Sequence, residues 1–345
     1  MLVVGLQGSP RKKGNTQFLL STFMQAAENL GARTSVIDVT RKDIVPCKEY
    51  TVCEKKGYCP IEDDVKEEIY PLLREADVVV VASPIFFYNM TAQLKAVVDR
   101  CQTFWARKYK LKLKDPGAGM RRGLLLSVGA TKGKNLFEGL NLTTQYFFDA
   151  IWAKFEDSLT YRGIEGPKDM ARHPSVVEDV ARAAERLLKP FQGRKKVLFA
   201  CRENACRSQM ASAFAQFLAG DKLDVSNGGS QPAEKINPDM AKVMHEKGID
   251  MEFRKPRSLE KAIADNAPEL IITMGCAEQC PLVPGAKIID WDLPDPAGQP
   301  LAFNRRNSIR QLNGLKAISE DLIGEQHGRT RRNVSVSNGK LWIHL

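Results

Sequence analysis

Short apolar runs at residues 2–6, 34–39, 78–82 and 124–128 alternate with longer stretches at 16–30, 65–75 and 92–104. In the longer stretches apolar positions return every three to four residues, so the short runs predict buried strands and the long ones amphipathic helices. Strands separated by helices of this length predict a parallel sheet with helices on both faces, an α/β doubly wound arrangement. A strand at 158–161 and a helix at 176–190 extend this first series. A second series starts with the run at 197–200, a helix-like stretch at 209–218 and a strand at 270–275. The basic, turn-rich segment 189–196 lies between them and reads as a linker. The expectation is two doubly wound parallel-sheet domains, 1–190 and 191–345, with a late strand at 340–345. The chain's 345 residues agree, being more than one core commonly holds.

The densest chemistry stands at residues 201–208, CRENACRS, directly after the strand at 197–200 and directly before the helix at 209–218. A strand that ends in a loop feeding a helix N-terminus presents inward-facing backbone N–H groups and positive dipole to an anion. Cys201 opens that loop as a nucleophile, because the thiolate is favoured beside a helix N-terminus or a cation. Arg207 supplies the cation, and its planar fork matches two oxygens of a tetrahedral oxyanion. Ser208 is placed to donate to the thiolate, and Asn204 suits a position with positive φ. Cys206 lies inside the same loop and is expected to support it. Downstream, the run at 270–275 empties into Cys276 and Cys280; strands of such a sheet end at one rim, which lets Cys276 approach Cys201.

The C-x5-R-S spacing in this setting resembles the low-molecular-weight tyrosine phosphatases and the arsenate reductases built on the same fold. A TMGC segment, a second cysteine and DWDLPDPAG at 290–298 extend the resemblance to arsenate reductases over roughly residues 195–324. That resemblance implies that Cys201 attacks arsenate and Cys276 attacks Cys201 to release arsenite. It further implies that Cys280 resolves the product as a Cys276–Cys280 disulfide, and that Asp295 is the general acid. The resolving pair here is separated by three residues, as in one branch of the family, whereas the thioredoxin-coupled branch has a longer gap; thioredoxin and another thiol carrier both stay open as recycling partners. A phosphatase regulated by a flavin domain is the alternative enzyme, although phosphatases of this fold carry tyrosines where AGQP stands at 297–300. A non-catalytic thiol redox sensor is the alternative of another class.

In the first domain the earliest strand-to-helix turn, residues 8–16, offers hydroxyls, glycine and a helix N-terminus to a phosphate. Its GSPR-x2-GNT pattern, with SPIFFYNM at 83–90 and the following QLK-x3-DR, resembles flavodoxin-like FMN reductases and the related iron–sulfur flavoproteins. The resemblance implies that Ser9, Arg11, Asn15 and Thr16 hold the FMN phosphate. It implies that Pro84, Ile85, Phe86, Tyr88, Asn89 and Met90, with a loop from Ser127 to Thr131 that includes Gly129, border the flavin ring. NADPH or NADH then serves as hydride donor. Iron–sulfur flavoproteins carry four compact cysteines before an acidic pair; here Cys47, Cys53 and Cys59 remain while Tyr50 stands where another cysteine belongs. A cubane cluster takes four thiolates, so Cys101 or a partner subunit must complete the set, and a cluster is not expected.

Composition adds limits rather than chemistry. The 43% hydrophobic and 27% charged residues describe an ordinary globular protein, and the longest apolar stretch, near 76–87, is too short for a bilayer. The opening MLVVGLQGS lacks a basic leader, so the expected location is the cytoplasm, with no membrane partner and, despite eight cysteines, no structural disulfide. The net charge of +10, densest at 107–114, belongs to no recognised nucleic-acid-binding fold. No nucleic-acid partner is expected, and the positive field would draw in arsenate or a similar oxyanion. Flavodoxin-like domains commonly dimerise, which gives a homodimer or larger homo-oligomer as the expected assembly.

Overall fold

The computed structural model describes residues 1–274, 283–296, 298–323, 333–337 and 340–344, with side chains through residue 315. The chain divides into two compact units. Unit 1 comprises Met1–Lys112 and Gly117–Gln192; unit 2 comprises Leu113–Pro116 and Gly193–Leu345.

Unit 1 carries strands β1 (Leu2–Gln7), β2 (Arg33–Asp38), β3 (Val78–Pro84), β4 (Arg122–Gly129) and β5 (Lys154–Arg162). Its helices are α1 (Asn15–Asn29), α2 (Val52–Lys56), α3 (Tyr70–Glu75), α4 (Ala92–Arg100), α5 (Gln102–Tyr109), α6 (Glu138–Ala150) and α7 (Val176–Leu188). The strands form one sheet in the order β2-β1-β3-β4-β5, every pairing parallel. This is the flavodoxin-like order, whose direction of progression reverses between β1 and β3 and leaves a crevice at their carboxyl ends. Val78 to Ala82 are fully buried, as a central parallel strand requires. Leu19, Phe23, Ala183 and Leu187 cover one face from α1 and α7.

Two stretches expected as single helices are interrupted. Residues 65–75 run as a π turn, Val65–Ile69, before α3. Pro71 explains this: without an N–H it cannot answer the carbonyl four residues back, and the ladder slips by one. The stretch 92–104 breaks at Cys101, and the break allows both Arg100 and Phe104 to be buried.

Unit 2 carries β6 (Lys195–Cys201), β7 (Leu223–Gly229), β8 (Leu270–Met274) and β9 (Lys287–Asp290), with α8 (Arg207–Ala219), α9 (Pro238–Glu246), α10 (Leu259–Asp265) and α11 (Leu301–Ile323). Its sheet is again wholly parallel, in the order β7-β6-β8-β9. Phe199, Met210, Phe214, Met240, Ile272 and Leu312 fill one face, and Leu198, Leu259 and Ile271 the other. A separate antiparallel hairpin joins β10 (Asn333–Ser337) to β11 (Lys340–His344), the latter matching the late strand expected from sequence. No local pattern marks residues 113–116 as part of unit 2, where Lys114 N–H donates to Gly248 O and Lys114 O accepts from Asp250 N–H, each at 2.8 Å.

Candidate active site and cofactor cradle

β6 delivers Cys201 to the carboxyl edge of its sheet, where the residue is 2% exposed. The chain then loops through residues 202–206 into α8. The carbonyls of this loop turn outward: Arg202 O accepts from Gln231 N–H at 2.8 Å, Glu203 O from Ala233 N–H at 2.9 Å, and Ala205 O from Asn237 N–H at 2.9 Å. None of the amides of 202–206 donates to a partner among the described residues, which leaves them available to an anion. Backbone donors converging at a helix N-terminus make an oxyanion site. Asn204 adopts the left-handed conformation that closes the loop, with φ of 49°.

Asn204 also fixes the surroundings of Ser208. Its Oδ1 accepts from Arg257 N–H at 2.9 Å and Gln209 Nε2 at 3.2 Å, which fixes the amide orientation. Its Nδ2 therefore donates to Ser208 Oγ at 2.7 Å. Ser208 Oγ lies 3.0 Å from Cys201 Sγ, within reach to donate its proton to a thiolate there or to accept one from the thiol. Arg207 donates from Nη1 to Leu293 O at 3.2 Å and pairs through Nη2 with Asp295 at 3.1 Å. Cys206 is a poor second nucleophile, because burial first and then the neighbouring Cys201 push its thiol up to about 12. Cys201, Asn204, Arg207, Ser208 and Asp295 are thus gathered at one rim. Cys276 and Cys280 lie outside the described residues.

Sequence reasoning missed Gly229, Gln209 and Arg257. Gly229 ends β7 against the loop, and a Cβ there would stand 2.6 Å from Arg202 O and 2.7 Å from Asn204 N. Both are backbone atoms, so the loop must move. Gly229→Ala should therefore strain the cradle by about 1–3 kcal/mol, lowering inorganic phosphate affinity about tenfold. Calorimetric titration with phosphate checks this, and an unchanged affinity would remove Gly229 from the cradle's support. The paired glycines of SNGGS, residues 226–230, were the available signal.

In unit 1, α1 begins at Gly14 with no side-chain cap and no acidic residue in its first turn. Its first amides are open to an anion, and Arg11, Lys12 and Lys13 stand exposed around them. Ser9 is buried; its Oγ accepts from Arg11 N–H at 3.3 Å, which winds the loop tightly. Thr16 is buried in the first turn. Asn15 is committed elsewhere: its Nδ2 donates to Gly166 O at 2.9 Å and its Oδ1 accepts from Met170 N–H at 3.1 Å. Its side chain is a strut to the loop after β5 rather than an open phosphate donor.

The loops after β3 and β4 supply the second wall. Phe86 and Asn89 exchange both backbone hydrogen bonds, at 2.8 and 3.0 Å, around Phe87 and Tyr88, whose φ values are 46° and 61°. Two non-glycine residues at positive φ store strain that the surroundings must hold in place. Here they present Phe86 and Tyr88 about half exposed and Phe87 101% exposed. Asn89 donates to Thr143 Oγ1 at 3.0 Å, Met90 is buried beneath, and Pro84 and Ile85 continue β3. Ser127 Oγ donates to Ser83 O at 2.7 Å, and Gly129 closes β4. An uncapped helix N-terminus with basic surroundings and an adjoining aromatic wall fits a phosphorylated flavin at the β1/β3 switch point.

Cys47, Cys53 and Cys59 sit on the segment clamped by Arg100 and Arg107. All three are free thiols, as are Cys101, Cys201 and Cys206. Burial, then Cys59 and Cys47, push the Cys53 thiol up. Cys101 is wholly buried and its thiol is raised by desolvation. No group of three ligand side chains is gathered for a metal among the described residues.

Residues 1–134 match the NADPH-dependent FMN reductase family, and residues 196–299 the low molecular weight phosphotyrosine protein phosphatase family. The chain is 37% identical over 113 residues to a glutaredoxin arsenate reductase of Synechocystis sp., covering 32% of this chain and 86% of that one. The chain belongs to the arsenate reductase family. An arsenate reductase of Bacillus cereus, 36% identical over 111 residues, is matched over 32% of this chain and 82% of its own length. The arsenate reductase half is joined to a flavin-reductase half. The latter is 33% identical over 132 residues to an iron–sulfur flavoprotein of Methanosarcina thermophila, 38% of this chain and 65% of that one. The chain spans about half to two thirds of the length of the iron–sulfur flavoproteins it matches. Both halves of this arsenate reductase fusion thus belong to oxidoreductases, and no described helix is long and apolar enough to cross a membrane.

Proposed function

We infer that the chain reduces arsenate to arsenite at the Cys201 cradle and is restored by electrons entering through its flavin half. The observation that carries this reading is Cys201 Sγ within 3.0 Å of Ser208 Oγ at the start of a loop whose amides have no protein partner among the described residues, with Arg207 beside it.

Arsenate enters as a tetrahedral anion on the amides of 202–206 and the Arg207 fork. Cys201 thiolate attacks arsenic, an S–As bond forms, and one arsenic oxygen leaves as water with a proton from Asp295. Cys276 thiolate then attacks the Cys201 sulfur. The S–As electron pair stays on arsenic, so As(V) becomes As(III) and arsenite departs. Cys280 displaces Cys201 from the mixed disulfide, leaving Cys276–Cys280 oxidised by two electrons. Bound FMN supplies two-electron chemistry with NADPH or NADH, which matches that demand. Ser9, Thr16 and the basic residues 11–13 would hold its phosphate, and Pro84 to Met90 with Ser127 and Gly129 would border its ring. Tethering raises the effective concentration of one half for the other. A thiol carrier such as thioredoxin is the alternative route, and a cytoplasmic setting suits either.

The deciding assay mixes the purified chain with FMN, NADPH or NADH, and arsenate, without any thiol carrier. Nicotinamide oxidation should rise on adding arsenate, and should fall when the halves are severed near residue 193 and mixed at low concentration. Equal rates from intact and severed protein, or a strict need for thioredoxin, would sink the built-in electron source. For the cascade, Cys280→Ser should stop after one turnover with a Cys201–Cys276 disulfide, visible by mass mapping. Undiminished multiple turnover would take Cys280 out of the mechanism.

A further inference from the structure

Asp295 stands on an irregular segment, residues 291–296, and side chains rather than a backbone ladder hold its approach. Leu293 O accepts from Arg207 Nη1 at 3.2 Å, and Pro294 O accepts from Asn307 Nδ2 at 3.2 Å. The two grips differ in what substrate does to them. Arg207 is the group whose fork an incoming oxyanion takes, so its hold on Leu293 and on Asp295 competes with binding. Asn307 is 3% exposed on α11, and its amide is spent on Pro294 O rather than on the anion-binding loop. The same helix is registered on both parts of the site. Asn304 Oδ1 accepts the Cys206 S–H at 4.0 Å, and a Cβ on Gly314 would stand 3.0 Å from the Trp291 ring.

We propose that Asn307 is the positioning residue of the Asp295 acid, holding the Leu293–Asp295 turn in place once an oxyanion has drawn Arg207 away. The inference rests on the reading of Asp295 as the proton donor. Asn307 touches neither substrate nor reacting atoms. Its effect is confined to the step in which the Asp295 proton passes to the leaving oxygen while the Cys201 sulfur bonds to arsenic or phosphorus.

The test uses the full chain with arsenate and dithiothreitol, and two aryl phosphates as probes. Phenyl phosphate needs a proton on its leaving oxygen, whereas 2,4-dinitrophenyl phosphate does not. Asn307→Leu keeps the volume and removes the donor. First-turnover rates on arsenate and phenyl phosphate should fall about 30-fold, in the range that a misplaced acid costs. The half-saturating concentration should stay within about twofold, and the dinitrophenyl ester should react within about threefold of wild type, since neither depends on the acid. In an Asp295→Asn background the Asn307→Leu change should cost nothing further, because its only route is through that carboxyl. If the leucine variant does not fold, Asn307→Ser, too short to reach Pro294, is read by the same criteria. Equal losses on both esters, additive losses in the double variant, or unchanged first-turnover rates overturn the proposal. A wild type that cleaves aryl phosphates without making arsenite ends the arsenate reading while the ester comparison still decides Asn307. A wild type that turns over neither removes the acid and the proposal together.

Discussion

Cys201→Ser should lose arsenate reduction by about 10⁴-fold or more, the scale on which deleting a nucleophile acts. A serine hydroxyl in the same bowl stays protonated and cannot accept the attack of a resolving thiol. The variant should still bind inorganic phosphate, because the bowl is built of main-chain amides whose carbonyls are held from residues 231, 233 and 237. FMN titration should be unchanged, since Cys201 belongs to unit 2 and the flavin cradle to unit 1. Arsenite release and phosphate calorimetry on the same preparation check both halves of the expectation. Appreciable arsenite from the variant means that the nucleophile lies elsewhere.

Asp63→Ala should destabilise unit 1 by about 3–5 kcal/mol, the cost of leaving one partner of a buried ion pair behind. Asp63 and Arg100 have side chains with no exposure at all and pair through both guanidinium nitrogens, at 2.5 and 3.2 Å. Asp63 additionally accepts from the N–H groups of Val45, Val65 and Lys66, and Arg100 donates to Val45 O and Ile61 O. The pair thereby fastens both ends of the cysteine-bearing segment, while Arg107 holds its middle at Gly57 O, 2.8 Å away. For a unit of this size the calorimetric transition of unit 1 should drop by about 10 °C. A shift of only a degree or two would mean that the pair adds nothing over its solvated state.

The central strands of both sheets were legible because a central parallel strand is apolar on both faces and so reads as an unbroken run. β1, β3, β4, β6 and β8 all obey this. β9 was not legible: it is an edge strand whose Lys287 and Ile288 are exposed, and four residues leave no period to detect. β7 was hidden by SNGG, whose composition signals a turn, although the glycines serve close approach to the loop beside them. At the Cys201 loop, the convergence of Cys201, Arg207 and Ser208 followed from spacing, since one short segment carries them all. Arg257, Gln209 and Asn307 did not, because each meets the site across tens of residues and none has a local pattern. Asn15 shows the converse limit. Its place in a phosphate-loop pattern was plain, but only tertiary structure reveals that both ends of its amide are spent on residues 166 and 170. Asp63 was visible as part of an acidic pair, and nothing local announced that Arg100, 37 positions on, would meet it.

Because the bowl is walled by main chain, the identity of several of its side chains is free to drift. Arg202 and Glu203 hold their carbonyls outward and their side chains are exposed, with Arg202 Nε donating to Gln231 Oε1 at 3.0 Å. Recoding these two positions would alter the charge met by an approaching anion, and so the salt dependence of its capture. The size and geometry of what fits would be inherited unchanged from the backbone. A combinatorial library at 202 and 203 is therefore a means of retuning encounter rate in this enzyme without redesigning its selectivity.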